Sequence, residues 1–223
     1  MDSTQGPTPD EVDAGHAFYT RRSLAIYDLA ILWYFSRLAW KCPASRVLRH
    51  YDEHVSDNHL DIGVGTGYFL DRCTFATSSP RIALMDPNEA CLDAASRRIE
   101  RYEPERYRES VLEPFDLGGR SFDSVGMNYL LHCLPGDIRS KAVVFEHVKA
   151  VTEPGSVVFG ATLLHDGVDR NWMARTVMKR NNRHGIFSNA DDDLDGLEWA
   201  LSQHLAETKI EIVGCVALFA GRT

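Results

Sequence analysis

One glycine-rich stretch, residues 60–70, restricts the fold of this 223-residue chain more than any other feature. An apolar run ends in Asp61, glycines follow at every second position (Gly63, Gly65 and Gly67), and apolar residues come next. This order is typical of a strand, a tight turn and the start of a helix. Glycines let such a turn bring its backbone close to a ligand, and the N–H groups at a helix start attract an anionic group. The stretch therefore predicts a binding loop.

The spacing of the glycines separates two kinds of nucleotide ligand. A dinucleotide fingerprint, G-x-G-x-x-G, would place its third glycine at position 68, where the chain has Tyr68. With an acid two residues before the first glycine, the sequence D-x-G-x-G-x-G instead resembles motif I of the class I S-adenosylmethionine-dependent methyltransferases. That resemblance implies that Asp61, Gly63, Gly65 and Gly67 hold the methionine portion of S-adenosylmethionine.

A second acid, Asp86, lies at the position in the chain where a nucleoside cofactor would need a carboxylate. Residues 81–86 predict a buried strand that ends in Asp86, about twenty residues beyond the glycines. A carboxylate at the tip of that strand can accept both hydroxyls of a ribose. We assign Asn88, near the start of the next helix, to the same cofactor site. Because dehydrogenases and methyltransferases share this acid, Asp86 supports a nucleoside cofactor without separating the two, and a surface acid without a role stays open.

Residues 110–116 predict a third strand that runs into an acid-containing loop. In the family that the glycine loop resembles, the residues just after this strand frame the adenine of the cofactor. The spacing to the next strand favours Glu113 over Asp116 for this role. We therefore expect Glu113 and the neighbouring Pro114 to contact the adenine.

Residues 120–136 form the second strong landmark. They resemble the fourth strand of the same family, with Phe-Asp followed by an apolar run and an L-x-H-x-L-P turn. The resemblance is to small stand-alone bacterial and fungal methyltransferases, and it implies S-adenosylmethionine as cofactor, S-adenosylhomocysteine as product and Asn128 as a cofactor contact. The N-P-P-Y-type tetrapeptide of nucleic-acid base methyltransferases is replaced by Met127-Asn128-Tyr129-Leu130. A small-molecule acceptor in secondary metabolism is therefore favoured.

Residues 15–56 are dense in aromatic side chains and precede the first core strand. They predict a helical segment that forms either a lid over the acceptor pocket or an aromatic helix that only packs on the sheet. We assign acceptor contacts to Tyr19, Tyr27, Trp33 and Tyr129. Residues 1–14 are expected to be a disordered terminus, and residues 57–223 to form the S-adenosylmethionine-binding domain.

Alternating strand and helix patterns beyond residue 57 predict an α/β fold with a doubly wound, mostly parallel sheet. Two C-terminal apolar runs, 209–213 and 215–220, meet at Gly214 and predict an antiparallel pair at the sheet edge. The family resemblance implies that this Rossmann-like sheet has seven strands, with an antiparallel edge strand.

Composition limits the partners of the chain. A net charge of −8 disfavours nucleic acid, and no apolar run reaches the roughly 18 residues that a membrane span needs. The polar, acidic N-terminus is unlike a signal peptide, so we expect a cytoplasmic protein.

The five cysteines form no C-x-x-C pair, and the adjacent acids at 191–193 fit helix capping, so no metal site is predicted. A homodimer is compatible with the sequence.

Methyl transfer to a hydroxyl group would benefit from a general base, and His132 at the end of the fourth strand is the best-placed candidate. A thiol or amine acceptor could react without one. Two other classes of protein stay open. One is a cofactor-binding protein without turnover, and the other is a nicotinamide-dependent oxidoreductase, which the glycine spacing disfavours.

Overall fold

The computed structural model describes residues 36–223. The predicted terminus 1–14 and the aromatic residues Tyr19, Tyr27 and Trp33 lie outside this range. A helical segment Ser36–Leu38 precedes the longer helices, which are α1 (Ala44–His54), α2 (Tyr68–Arg72), α3 (Glu89–Arg98), α4 (Val143–Lys149), α5 (Trp172–Arg183) and α6 (Leu194–His204). Short 3-10 turns cover Glu100–Tyr102, Leu131–Cys133 and Ser140–Ala142. Among the helices of residues 36–223, none has the length and apolar character needed to cross a membrane.

Seven strands of the described residues form one sheet. They are β1 (Asn58–Ile62), β2 (Arg81–Met85), β3 (Glu105–Tyr107), β4 (Phe122–Asn128), β5 (Thr152–Leu163), β6 (Ala206–Val213) and β7 (Val216–Arg222). The order across the sheet is β3-β2-β1-β4-β5-β7-β6. Strand β7 is antiparallel to both of its neighbours, and the other pairings are parallel. The predicted doubly wound, mostly parallel seven-stranded sheet is confirmed.

The strand order reverses between β1 and β4, because β2 and β3 lie on one side of β1 and the later strands lie on the other. In sheets of this kind, ligands bind in the crevice beyond the carboxyl ends of the strands at the reversal point. Asp61 of β1 is in register with Gly126 of β4, so the ends of these two strands lie side by side. The glycine loop after β1 and Asn128 at the end of β4 therefore meet at this crevice.

The two C-terminal strands form the predicted antiparallel pair at the edge of the sheet. Strand β6 is outermost, and β7 is the strand that runs against the others. Gly214 turns the hairpin with a φ of +63°, and a Cβ there would lie 2.0 Å from the Trp40 carbonyl oxygen. Cys215 donates its N–H to the same carbonyl at 3.1 Å, so the turn packs tightly against the segment that precedes α1.

The third strand lies earlier in the chain than predicted. It is Glu105–Tyr107, whereas residues 110–116 form an irregular segment, so the predicted strand there was wrong. Val111 and Phe115, the apolar residues that suggested a strand, belong to this irregular segment and bury their side chains without sheet pairing. Pro114 also lacks the N–H that a sheet ladder needs. The charged side chains of the actual β3 suit the edge of a sheet.

Apolar side chains cover both faces of the sheet. Successive residues of β2 enter opposite layers, with Ile82 and Leu84 on one face and Ala83 and Met85 on the other. Helices α1 and α3 contribute to the first layer, and α4 and α6 contribute to the second. The described part of the predicted lid segment 15–56 therefore includes a helix, α1, that packs on the sheet.

Candidate functional site

A cavity opens at the carboxyl ends of β1, β2 and β4, where the strand order reverses. Four segments contribute most of its wall: the loop after β1, the end of β2 with the start of α3, the segment after β3, and the turn after β4. The lining residues are 62–66, 68, 69, 86–88, 91, 109–112, 128–130, 133–135 and 186. The cavity thus gathers polar groups from distant parts of the chain, as ligand sites do.

The three predicted glycines have two different roles. All three adopt a positive φ, +71° at Gly63, +51° at Gly65 and +70° at Gly67, which favours glycine. Gly63 and Gly65 line the cavity, and a Cβ on Gly65 would meet no described atom within 4 Å, so space beside it is open to a ligand. Gly67 lies outside the lining, and a Cβ there would be 3.0 Å from Ala95 Cα. This glycine lets α2 approach α3, and its contact with the cofactor stays a prediction.

Asp61 lies beneath the glycine loop and outside the cavity lining, and its contact with the cofactor stays a prediction. Its Oδ1 accepts a hydrogen bond from the Tyr51 hydroxyl at 3.3 Å and lies 3.8 Å from His59 Nε2. The same hydroxyl is 2.8 Å from His59 Nε2. Helix α1 therefore supports the acid from below. Sequence reasoning missed Tyr51 and His59, because no motif joins the two positions to the glycine loop.

Asp86 ends β2 with its side chain in the cavity lining, as predicted. It is 8% exposed, and its Oδ1 accepts the Asn88 N–H at 2.8 Å, while the N–H groups of Val64 and Gly65 also donate to its carboxylate. Burial raises the pKa of Asp86 to about 6 in spite of these donors. The acid and the glycine loop are thereby tied together. Asn88 also lines the cavity, and its side chain accepts the Ala90 N–H at 2.9 Å, which caps α3.

The segment after β3 reaches the cavity with residues 109–112. Glu113 and Pro114 are exposed and lie outside the lining, and their contact with the adenine stays a prediction. The cause of their place outside the lining is the earlier position of the third strand. Because β3 ends at Tyr107, the chain reaches the edge of the cavity before residue 113, and Val111 and Leu112 occupy the expected place.

The end of β4 presents an amide to the cavity. Asn128 lines it, and neither its Oδ1 nor its Nδ2 has a hydrogen-bond partner within residues 36–223. The next residue, Tyr129, adopts a left-handed φ of +59° and also lines the cavity. Its ring stacks on Phe69 with centroids 6.4 Å apart. Both predicted residues are therefore placed at the cavity wall.

His132 lies behind the cavity wall and is only 3% exposed. Its ring packs edge-on against Phe187, with centroids 4.7 Å apart, and against Tyr129 at 6.0 Å. Burial, with a smaller contribution from the charge of Lys141, lowers the pKa of His132 to about 3. The imidazole is therefore neutral at ordinary pH, and the structure does not bring it into the cavity where the predicted general base would be needed.

A buried ion pair stands behind the same turn. Lys141 and Asp192 are both fully buried, with Lys141 Nζ 2.7 Å from Asp192 Oδ2 and 2.6 Å from the Ser188 carbonyl oxygen. Ser188 in turn donates its N–H to the His132 carbonyl at 2.8 Å. The pair thereby fixes the loop that carries the cavity residue Ile186 to the turn after β4.

Two of the three adjacent acids at 191–193 have different roles. Asp193 caps α6 by accepting the Gly196 N–H at 2.6 Å, which confirms the predicted capping. Asp192 instead enters the buried pair, and burial raises its pKa to about 6 although Lys141 opposes the rise. Sequence reasoning missed this pair, because a lysine at residue 141 gives no signal of its distant partner.

A doubly wound sheet, a glycine loop after β1 and an acid at the end of β2 define a Rossmann-like α/β protein, with its cavity where such folds bind nucleoside cofactors. Comparisons with known proteins narrow this class. The family described as a methyltransferase domain matches residues 60–158. Demethylluteothin O-methyltransferase from Streptomyces thioluteus is 41% identical over 228 residues, which cover 100% of this chain and 99% of that protein.

Two further comparisons agree. An O-methyltransferase of the physcion biosynthesis cluster from Aspergillus chevalieri is 37% identical over 214 residues, 95% of each chain. The solved structure of the DhpI–SAH complex has a TM-score of 0.70 at 15% identity and covers 97% of this chain and 98% of that one, which shows a shared fold.

The chain belongs to the class I S-adenosylmethionine-dependent methyltransferases, and it is an enzyme of methyl transfer. The resemblance predicted from the glycine loop and the fourth strand is confirmed. Neither a cofactor-binding protein without turnover nor a nicotinamide-dependent oxidoreductase is supported by these comparisons.

Proposed function

We propose that the cavity holds S-adenosylmethionine and that the enzyme methylates a hydroxyl oxygen of a small organic molecule in secondary metabolism. The placement of the cofactor rests on Asn128. Its amide is buried at the cavity, and neither of its polar atoms has a hydrogen-bond partner within the described residues. Leaving a buried polar group without a partner costs about 1–3 kcal/mol. A ligand with complementary polar groups would remove that cost.

The polar groups of the cavity fit the parts of this cofactor. Asp86 would accept hydrogen bonds from the two ribose hydroxyls, since a carboxylate can bind both at once. The open space beside Gly65, together with the amide of Asn128, suits the methionine portion with its amino and carboxylate groups. The apolar side chains of Val111 and Leu112 suit a flat adenine.

When bound, S-adenosylmethionine supplies a methyl group on a positively charged sulfur. The contribution of this chain is to bind and orient both reactants and to exclude water from between them. Leu130, Leu134 and Pro135 give the turn after β4 an apolar surface toward the cavity, which serves that exclusion. Tyr129 would contact the acceptor from the same turn.

Two relatives carry the proposal of an oxygen acceptor. Demethylluteothin O-methyltransferase and the physcion-cluster enzyme are both named for O-methylation, and each aligns with nearly the whole chain. A hydroxyl acceptor must lose its proton. His132 was the predicted base, but its burial and low pKa favour a role in supporting the wall behind Tyr129.

The first experiment is calorimetric titration with S-adenosylhomocysteine, followed by transfer of a labelled methyl group from S-adenosylmethionine to a panel of phenols. The test variant is Asn128→Leu, which keeps the volume and removes both polar atoms. We expect a 10- to 100-fold loss of affinity, on the order of 1.4–2.8 kcal/mol. The matched control is Thr162→Val, because the Thr162 hydroxyl is also buried without a partner in the described residues but lies outside the cavity.

Equal affinity in the Asn128→Leu variant and the wild type would refute the assigned cofactor site. Binding of S-adenosylhomocysteine together with methyl transfer to thiols or amines, and to no phenol or alcohol, would overturn the oxygen acceptor and leave the cofactor site standing.

A further inference from the structure

A group of three potential metal ligands lies on α1, away from the cofactor cavity. One ligand atom from each of His50, Glu53 and His54 lies within 4.8 Å of the others, and within residues 36–223 no other such group of three is found. None of the three residues lines the cavity. We propose that this group binds one divalent transition-metal ion of the kind that imidazole favours, with Zn²⁺, Co²⁺ and Ni²⁺ as candidates.

Helix geometry brings the three side chains together. His50 and His54 are four residues apart, and Glu53 is three residues from His50, so all three project from one face of α1. The sequence H-x-x-E-H is also how one class of zinc peptidases places two histidines on a helix. Zinc bonds to imidazole nitrogen are about 2.0–2.1 Å, so two ligand atoms at one ion lie about 3.4 Å apart. Ligand atoms that start within 4.8 Å of one another would move closer by side-chain rotation when the ion binds.

Backbone hydrogen bonds prepare both imidazoles for a metal ion. His50 Nε2 lies 2.9 Å from the Phe219 carbonyl oxygen, and His54 Nδ1 lies 2.8 Å from the His50 carbonyl oxygen. A carbonyl oxygen can only accept, so these two nitrogens carry the protons. The lone pairs then fall on His50 Nδ1 and His54 Nε2. An imidazole that donates its other N–H to a backbone carbonyl is the usual arrangement at metal sites.

The surroundings of the group favour a cation. Glu53 is exposed, and it and Glu211 both act on His50 as nearby negative charges. Arg46, one turn before His50, is paired with Glu211, so these two charges largely offset each other and Glu53 is the main negative charge beside the histidines. Phe159 closes the inner side, with its ring stacked on His54 at 5.6 Å between centroids. The site therefore faces solvent on one side and apolar sheet on the other, and water would complete the coordination of the ion.

An ion held there would bridge one turn of α1 and leave the cofactor cavity unchanged. The test uses metal-free protein without a histidine tag. Titration with Co²⁺, followed by its visible absorption, reports both affinity and ligand type, and Zn²⁺ competition and thermal unfolding follow. We expect one ion per chain with a Kd on the order of micromolar and a higher Tm with the ion bound.

Two variants and a control make the test specific. His54→Gln is expected to weaken Co²⁺ binding at least about 30-fold and to abolish the Tm rise, and Glu53→Gln to weaken binding about tenfold. His204→Gln, which removes a histidine at the end of α6, should bind like the wild type. Equal affinity in His54→Gln and the wild type would overturn the proposal. So would a Co²⁺ spectrum with thiolate charge-transfer bands, since that places the ion on a cysteine.

Discussion

Replacing Asp86 with asparagine should change stability and cofactor affinity in opposite directions. The carboxylate is 8% exposed, and burial raises its pKa from 3.8 to about 6. An acid with a raised pKa stabilises the fold fully only below its unfolded pKa, and this contribution is lost as pH rises through the folded pKa. A rise of about two pKa units lowers the free energy of unfolding by about 3 kcal/mol, and the full loss is reached by roughly pH 7.

The Asp86→Asn variant keeps an oxygen for the Asn88 N–H and removes the buried charge. Because the NH₂ group cannot accept the Val64 and Gly65 N–H bonds, part of the 3 kcal/mol is lost, and we expect the variant without ligand to be more stable than the wild type by about 1–3 kcal/mol at pH 7.5. Near pH 4, where the wild-type carboxyl is largely protonated in the fold, the variant should be no more stable than the wild type. Ribose hydroxyls bind more strongly to a charged acceptor than to an amide, so affinity for S-adenosylhomocysteine should fall about 10- to 100-fold.

Urea unfolding at pH 4 and pH 7.5 measures the first effect, and calorimetric titration at pH 7.5 measures the second. Asp123→Asn is the control for the change in net charge, because Asp123 is exposed on β4 and outside the cavity. A variant that is less stable than the wild type at pH 7.5, or one that binds the ligand equally well, would refute the reasoning.

Three further predictions concern the cavity wall and the loop. Lys141→Met leaves Asp192 buried without its cation and should cost about 3–5 kcal/mol in urea unfolding, while the double variant with Asp192→Leu should recover much of that loss; additive effects would contradict the pairing. His132→Gln should keep most of the turnover with an unchanged pH–rate profile between pH 5 and 8, since a group with a pKa of about 3 does not titrate there; a 100-fold loss of turnover would restore it as the base. Gly67→Ala should lower stability by about 1–3 kcal/mol through its contact with Ala95, whereas Gly65→Ala should lower cofactor affinity more than stability; identical behaviour of the two variants would contradict their separate roles.

Sequence reasoning reached the fold because the informative signals are local. The glycine loop, the acid that ends β2 and the turn after β4 each occupy a few consecutive residues, and the rules of parallel sheets then bring them to one crevice. It failed for the strand predicted at residues 110–116, because an apolar stretch looks alike in a strand and in a loop that buries single side chains. It also missed Tyr51 beneath Asp61, since that contact depends on how α1 lies across the sheet.

The same dependence on tertiary packing limits what the sequence reveals about the roles of the histidines. His132 follows a recognisable strand, but only the packing of Phe187 and Tyr129 decides whether its ring enters the cavity. The spacing of His50 and His54 was visible in the sequence. Whether the two imidazoles can act as a pair of metal ligands depends on the Phe219 carbonyl, which fixes the proton of His50 on Nε2 and lies far away in the sequence.

The contact between the segment around α1 and the β6–β7 hairpin has a consequence for the order in which the fold forms. The Trp40 carbonyl accepts the Cys215 N–H at 3.1 Å, and His50 meets Phe219, so the segment around α1 docks on a hairpin that lies far later in the sequence. Contacts of such long sequence separation form late, because their loop-closure entropy must be paid first. We therefore expect α1, with the Tyr51 beneath the glycine loop, to dock only after strand β7 has joined the sheet. The crevice at the carboxyl ends of the strands would then be among the last parts of the described fold to form.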